Sequence, residues 1–217
     1  MSGKLIAGGA LAAALVAATT LSAQTATASE EPADGPAEQI KVDIQTINGS
    51  GCSAGTAAVA ANADNTAFTV TYSDYLAAAG AGASPLDFRK NCQLSLVLDV
   101  PSGFTYAIQS VDYRGYAYLA DGASGLEQAS YYHMGSPETT TSSKGFEGPY
   151  DDNWQVTDSK EWAELVWAPC GEQRNFNINT ELRVYRGSSD HRATSLMTMD
   201  STDSAVSTEY HLAWKEC

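Results

Sequence analysis

Apolar residues recur with a period of two through much of this chain. The clearest case is Cys92–Val100, in which every second residue is apolar and the residues between them are mostly polar. A strand that buries one face and exposes the other produces this pattern. Similar rows begin at Phe68, Phe104, Phe176 and Val206. The chain is therefore predicted to be all-β.

The segments between these rows predict how the strands connect. They are rich in Gly, Pro, Asn, Asp and Ser, which form turns. Short strands joined by turns favour an antiparallel β-sandwich with Greek-key or jelly-roll-like connections, and a β-barrel is the alternative. The row from Phe104 changes phase near Ser110, which predicts a β-bulge. Ser159–Trp167 fits either a helical turn or a buried strand.

The amino terminus is typical of an export signal. Lys4 is followed by an uncharged, mostly apolar run, and the small residues Ala26 and Ala28 precede the expected cleavage site. Residues 1–28 are therefore interpreted as a cleaved signal peptide.

The remaining chain divides by composition into two parts. Residues 29–39 are mainly Glu, Pro, Ala, Asp and Gly, which predicts a flexible leader. Residues 40–217 are expected to form a single β-sandwich domain. Because no segment after the signal is apolar enough over the length of a bilayer, we expect an extracellular, secreted protein without membrane insertion.

Four cysteines follow the signal: Cys52, Cys92, Cys170 and Cys217. An even number in an exported chain predicts two disulfides, for which three pairings exist. The pairing Cys52–Cys92 with Cys170–Cys217 is preferred because it joins neighbours along the chain and encloses several strands in each loop. The spacing lacks the close Cys and His pairs of a zinc site.

The net charge of the chain bears on its partners. The formal charge is −14 at pH 7. Because binding to phosphates requires a basic surface, nucleic acid is not an expected partner.

A tyrosine-rich string supplies the candidate ligand site. It runs through Asp112, Tyr113, Arg114, Tyr116 and Tyr118. Exposed tyrosines stack on sugar rings, while Asp112 and Arg114 can hydrogen-bond to sugar hydroxyls. The alternative is structural: tyrosines pack well in strands, and Asp112 pairs with Arg114.

Two acidic residues, Asp151 and Asp152, support two weaker hypotheses. With the nearby acids Asp158, Glu161 and Glu164 they offer carboxylates for glycoside hydrolysis. Their oxygens are also weak calcium candidates, although the twelve-residue EF-hand pattern is missing. A solvated acidic surface is the simpler interpretation of both.

The histidines and serines give no catalytic pattern. No GxSxG nucleophile motif occurs. His211 lies on the polar side of the last predicted strand and His191 lies in a turn, so both are expected to be solvated. His133 follows two tyrosines and fits either a ligand site or an aromatic patch. No metal site or cofactor is predicted from these residues.

Several ordered strings carry a family resemblance. They are Ile47–Cys52, Ser84–Pro85, Arg89–Leu94, Asp112–Tyr116, Gly148–Tyr150, Trp167–Gly171, Asn177–Asn179 and Trp214 just before Cys217. Together they resemble the secreted proteins grouped as domain of unknown function 4360. The resemblance implies a small exported protein of bacteria or fungi in which the four cysteines form one framework and the Asp112–Tyr116 string is shared. It implies no established activity, cofactor or catalytic residue.

These observations favour one function over two others. The chain is predicted to be a non-catalytic extracellular module that binds polysaccharide or cell-surface material. The alternatives are a secreted hydrolase that uses a carboxylate pair and a structural or coat protein. The sequence does not indicate an oligomeric state.

Overall fold

The computed structural model describes residues 33–199 and 207–217. The predicted signal peptide and the first residues of the predicted leader lie outside this range. Twelve strands form within it, numbered in chain order: β1 (Lys41–Asn48), β2 (Ala57–Ala61), β3 (Ala67–Tyr72), β4 (Leu76–Gly80), β5 (Arg89–Asp99), β6 (Phe104–Leu119), β7 (Ser124–His133), β8 (Thr140–Glu147), β9 (Tyr150–Ser159), β10 (Phe176–Tyr185), β11 (Thr194–Met199) and β12 (Thr208–Glu216).

The strands form two antiparallel sheets that pack together. One sheet has five strands in the order β1-β5-β10-β7-β8, and the other has seven strands, β2-β3-β12-β6-β11-β4 with β9 paired to β6. Within the described residues the sheets do not close into a barrel. The predicted all-β sandwich is therefore confirmed, and the barrel alternative is wrong.

The long strand β6 organises the seven-stranded sheet. Along one edge its residues 110–119 pair with β9. Along the other edge, residues 104–112 pair with β12 and residues 115–118 pair with β11. Side chains from β6, β9 and β12 therefore lie beside one another on the solvent-facing side of this sheet.

Aromatic side chains from both sheets meet in the core. Phe68 and Tyr210 of the seven-stranded sheet stack with ring centroids 4.9 Å apart. Phe176 of the five-stranded sheet meets both rings edge-on, at 6.4 Å. Each of these side chains is at most 1% exposed. Burial of such side chains stabilises the fold by about 25 cal/mol per Å² of apolar surface.

The predicted bulge and the ambiguous segment are both resolved. His211 pairs with Ser110, but Leu212 pairs with Ile108, so Gln109 is the extra residue of a bulge in β6. The bulge predicted near Ser110 is confirmed. The segment Ser159–Trp167 forms neither a regular helix nor a strand, because it contains a short 3-10 helix, Trp162–Glu164, followed by an isolated bridge from Trp167 to Ala107.

Two disulfides cross-link distant parts of the domain. Cys52, between β1 and β2, is bonded to Cys92 in β5, with 5.3 Å between the Cα atoms. Cys170, between β9 and β10, is bonded to the last residue, Cys217, with 5.7 Å between the Cα atoms. In the chain-entropy model, a disulfide that closes a loop of this length stabilises the folded state by about 4 kcal/mol, because it restricts the unfolded chain.

The described part of the predicted leader, residues 33–39, is bound to the sandwich. Asn65 is buried, and its side-chain amide donates to the carbonyl oxygens of Pro36 and Glu38, at 2.8 Å each. The backbone N–H of Ala33 donates to the carbonyl of Trp214 at 3.1 Å. Hydrogen bonds to backbone groups, which composition does not reveal, thus attach a segment that has few apolar side chains.

Candidate functional site

Strand β6 presents opposite chemistry on its two faces. Its inner face carries Val111, Tyr113, Gly115 and Ala117, all buried. The outer face carries Asp112, Arg114, Tyr116 and Tyr118, which are half-buried or exposed. Successive side chains of a strand project to opposite faces, so the tyrosine-rich string is divided between the core and the surface.

Tyr113 does not lie with the other two candidate tyrosines. Its side chain is fully buried, and its ring contacts Tyr210 edge-on with 6.3 Å between centroids. Tyr113 and Tyr116 are three residues apart, an odd spacing that a regular strand places on opposite faces. Of the candidate ligand residues, Tyr113 therefore lies in the core, away from the rings of Tyr116 and Tyr118.

Tyr116 and Tyr118 form the aromatic part of the outer face. Tyr118 is 45% exposed. The Tyr116 hydroxyl donates a hydrogen bond to Asp151 Oδ1 at 2.5 Å. This bond holds the Tyr116 hydroxyl against β9 and, together with its proximity to the Asp151 charge, raises the pKa of the phenol. The two rings thus occupy alternate positions of one strand beside a carboxylate.

A group of polar side chains continues this surface towards β12. We call it the charged cluster, and it consists of Asp112, Arg114, Gln155, Thr157, Glu209 and His211. Asp112 lies at its centre. Arg114 Nη2 is 3.2 Å and His211 Nε2 is 3.3 Å from Asp112 Oδ2, while Oδ1 accepts hydrogen bonds from Thr157 and Gln155.

The electrostatics of the charged cluster favour an ionised Asp112. Partial burial by itself raises the pKa of this carboxyl, but the hydrogen bonds from Thr157 and His211 and the charge of Arg114 outweigh burial. The pKa of Asp112 therefore lies below its ordinary value. An ionised carboxyl accepts hydrogen bonds near neutral pH but is a poor general acid there.

The sequence indicated only part of this cluster. Asp112 and Arg114 were candidates, whereas Glu209, His211, Gln155 and Thr157 were not. Alternation along the last strand indicated that Glu209 and His211 face solvent. Their convergence with Asp112 depends on the pairing of Glu209 with Asp112 and of His211 with Ser110, which a single sequence does not show.

The acidic residues of the β8–β9 hairpin do not form a joint site. Asp151 pairs with Tyr118 and Asp152 pairs with Ala117. Since Tyr118 and Ala117 lie on opposite faces of β6, the two carboxylates also diverge. The structure therefore does not assemble Asp151 and Asp152 into a catalytic carboxylate pair, and it does not turn their oxygens towards a common calcium position.

The remaining histidines lie apart from the charged cluster. His133 is only 2% exposed, and its ring lies 5.4 Å from Tyr106 and 5.3 Å from Phe176. Burial lowers its pKa. The aromatic-patch interpretation of His133 thus agrees with its surroundings. His191 lies in an exposed turn next to Asp190.

One acid of the interior was not indicated by the sequence. Glu127, on the inner face of β7, is fully buried, and neither carboxylate oxygen has a hydrogen-bond partner among the described residues. Burial and, secondly, the charge of Asp158 raise the pKa of Glu127 to about 8. Glu127 therefore keeps its proton at neutral pH.

A separate groove lies at the disulfide-linked end of the domain. It has a volume of about 420 Å³ and is lined by residues 98–106, by residues 168–174 except Cys170, and by Cys217. Its charged residues Glu172 and Arg174 pair with each other at 2.8 Å. Apart from Cys217, none of the sequence-predicted site residues lines this groove.

Fold and site together define the class: a disulfide-bonded antiparallel β-sandwich with a tyrosine-bearing, charged outer face. The family model described as "Domain of unknown function (DUF4360)" matches residues 38–217. The chain therefore belongs to this family, as the sequence motifs predicted.

A relative supports the extracellular location. The chain is 36% identical over 172 residues to a protein of Arthroderma benhamiae described as an uncharacterized secreted protein, an alignment that covers 79% of this chain and 69% of the relative. With the two disulfides, this confirms the prediction of an extracellular protein. The described residues contain no helix that is long and apolar enough to cross a membrane.

Two solved structures show distant similarity to the fold. TmCBM61, solved in complex with β-1,4-galactotriose, has a TM-score of 0.28 and 8% identity, with 84% of this chain and 92% of that chain covered. Tailspike protein 4 of bacteriophage CBA120 has a TM-score of 0.25 and 9% identity, with 79% of this chain and 19% of that chain covered.

Proposed function

We propose that this protein is a non-catalytic extracellular module that binds polysaccharide or cell-surface material through the outer face of its seven-stranded sheet. The observation that carries the proposal is that Tyr116 and Tyr118 lie on one solvent-facing row with Asp112 and Arg114. Aromatic rings supply flat apolar surfaces for sugar rings, and charged groups beside them bond to hydroxyls.

The polar neighbours of the rings support this use of the surface. Asp151 and Asn153 on β9 lie opposite Tyr118 and Tyr116. Arg114 donates from Nε to Gln155 at 3.3 Å. Both hydrogen-bond donors and acceptors thus lie next to the rings, which suits the mixed donor and acceptor character of sugar hydroxyls.

The hydrolase alternative receives less support from this geometry. Hydrolysis of a glycosidic bond by two carboxylates requires one that is protonated near the working pH. Asp151 and Asp152 diverge, and the pKa of Asp112 is lowered rather than raised. Binding without turnover is therefore the better account of this surface.

A retention assay with matched variants tests the proposal. The secreted protein is applied to insoluble cell-wall polysaccharides and to a glycan array beside the double variant Tyr116→Ala/Tyr118→Ala. The control is Tyr185→Ala, since Tyr185 is 40% exposed but belongs to the other sheet. If each ring contributes roughly 1 kcal/mol, affinity falls by more than about tenfold in the double variant and is unchanged in the control.

Two results contradict the proposal. Equal retention of all three proteins would show that the rings take no part. Absence of any glycan ligand, combined with abundance of the protein in the culture supernatant, would favour a structural or coat protein.

A further inference from the structure

We propose that Asp112, Glu209 and His211 form a binding site for a divalent transition-metal ion, with zinc as the expected ion. This inference goes beyond the proposed carbohydrate binding and does not depend on it. It also differs from the sequence-based prediction, which found no metal site.

The distances within the triad are close to those around a metal. His211 Nε2 lies 3.3 Å from Asp112 Oδ2 and 3.9 Å from Glu209 Oε2. All three ligand atoms lie within 4.8 Å of one another. Zinc bonds of about 2.0–2.2 Å in a tetrahedral arrangement separate neighbouring ligand atoms by about 3.3–3.6 Å. Small side-chain rotations therefore suffice to place the three atoms around one ion.

The sheet itself brings the ligands together. Glu209 is paired directly with Asp112 across the β6–β12 ladder, and His211 is paired with Ser110. Directly opposed residues have Cβ atoms about 5 Å apart, and residues two apart in a strand share a face. All three side chains thus project from a hydrogen-bonded framework to the same side of the sheet.

The ligand types favour a transition metal over calcium or magnesium. Zinc is bound by imidazole nitrogens together with carboxylate oxygens, whereas calcium and magnesium prefer oxygen ligands alone. His211 is 34% and Glu209 31% exposed at the side chain, so the site is open to solvent. Three protein ligands leave a fourth position for water or another ligand.

The neighbours of Asp112 orient its carboxylate for this role. Its Oδ1 accepts hydrogen bonds from Thr157 Oγ1 and, at 3.3 Å, from Gln155 Nε2. Oδ2 is thereby left on the side of His211. Hydrogen bonds to the second oxygen of a ligating carboxylate are typical of metal sites and raise their affinity.

The guanidinium of Arg114 competes with a metal ion for the carboxylates of Asp112 and Glu209. Its guanidinium lies 3.2 Å from Asp112 and 3.9 Å from Glu209 and thus supplies the positive charge that a metal would supply. The side chain is 28% exposed and is long enough to turn away on its stem. We therefore expect removal of Arg114 to tighten metal binding.

Equilibrium binding of zinc alone tests the site. The chelator-treated secreted protein is titrated with zinc by isothermal calorimetry, and stoichiometry is checked by dialysis and elemental analysis. We expect one ion per chain, at least about tenfold weaker binding in His211→Ala and Glu209→Gln, and about tenfold weaker binding in Thr157→Val. Arg114→Gln should bind zinc more tightly than the unaltered protein.

His191→Ala is the matched control, because His191 also lies next to an aspartate, with Nδ1 3.6 Å from Asp190, but outside the triad. It should bind zinc like the unaltered protein. Absence of zinc binding, equal loss in both histidine variants, or equal competition by calcium would overturn the proposal. Circular dichroism confirms that each variant is folded. Glycan retention measured with and without a chelator keeps the failure of this proposal distinct from the failure of carbohydrate binding.

Discussion

The two faces of strand β6 show how environment decides what similar residues do. Tyr113 and Tyr118 belong to one short string, yet the first is fully buried and the second is 45% exposed. Two acids, Asp112 on the outer face of β6 and Glu127 in the core on β7, differ as strongly in their surroundings and pKa. Asp112 has several polar partners on the outer face and a lowered pKa, whereas Glu127 lies inside without a hydrogen-bond partner among the described residues and has a raised pKa.

Residue type alone therefore does not indicate function in this sandwich. In the core, Tyr113 of β6 serves as a large packing residue, and Glu127 of β7 is held neutral. The outer face presents rings and charges to solvent, where they can contact a ligand. Each of the following experiments tests one side of this comparison.

The largest change in the free energy of unfolding is expected from Tyr113→Ala. Removing a fully buried ring leaves a cavity, and comparable aromatic truncations cost about 3–5 kcal/mol. Urea denaturation followed by tryptophan fluorescence measures the free energy of unfolding. Tyr118→Ala is the control and should change this energy by less than about 0.5 kcal/mol. Similar losses in the two variants would contradict the division of the string between core and surface.

The next largest change expected is a fall in the stability of the folded state with rising pH, caused by Glu127. Its pKa is about 8 in the folded protein, above the ordinary value of 4.5. Below pH 4.5 the carboxyl is protonated in both states and contributes no pH dependence. As the pH rises from 4.5 towards 8, the unfolded chain releases a proton that the folded chain retains, so stability falls, by roughly 3 kcal/mol between pH 5 and 7.5.

Thermal unfolding at several pH values checks this expectation. Glu127→Gln should remove most of the decline between pH 5 and 7.5, whereas Glu209→Gln on the outer face should retain it. A decline of the same size in Glu127→Gln would show that another group is responsible.

The smallest change in the free energy of unfolding is expected from Asp112→Asn, measured with a chelator present. The lowered pKa of Asp112 means that its ionised form stabilises the folded state. This contribution is present above the ordinary pKa and is lost as the pH falls through the lower folded-state pKa. Because the cluster is partly exposed, the loss in Asp112→Asn should be about 1 kcal/mol at pH 7 and should vanish in strong acid. A loss that persists in acid would assign the effect to packing.

Particular residues show how far a single sequence predicts this fold. Alternation in Cys92–Val100 and Phe176–Val184 predicted buried rows that the structure contains, with Val100 only partly buried. The phase change near Ser110 predicted the bulge because an extra residue shifts the alternation locally. The attachment of residues 33–39 to the sandwich was not predictable, because it depends on the buried amide of Asn65, which is distant in sequence.

The candidate site was predictable only in part, for a related reason. Asp112, Arg114, Tyr116 and Tyr118 are close in sequence and share one strand face. Glu209 and His211 lie about a hundred residues away, and strand pairing alone brings them to Asp112. Tyr113 lies three residues from Tyr116, so the two-residue period of a strand separates it from the rings of the outer face.

The period-two rows, the bulge and the placement of polar and apolar side chains on opposite strand faces could be predicted, because they depend on local backbone geometry. The neighbours of each strand could not, because contacts between distant segments depend on strand order and register across the whole sheet. That pairing brings Asp112, Glu209 and His211 together on the surface and buries Glu127 in the core.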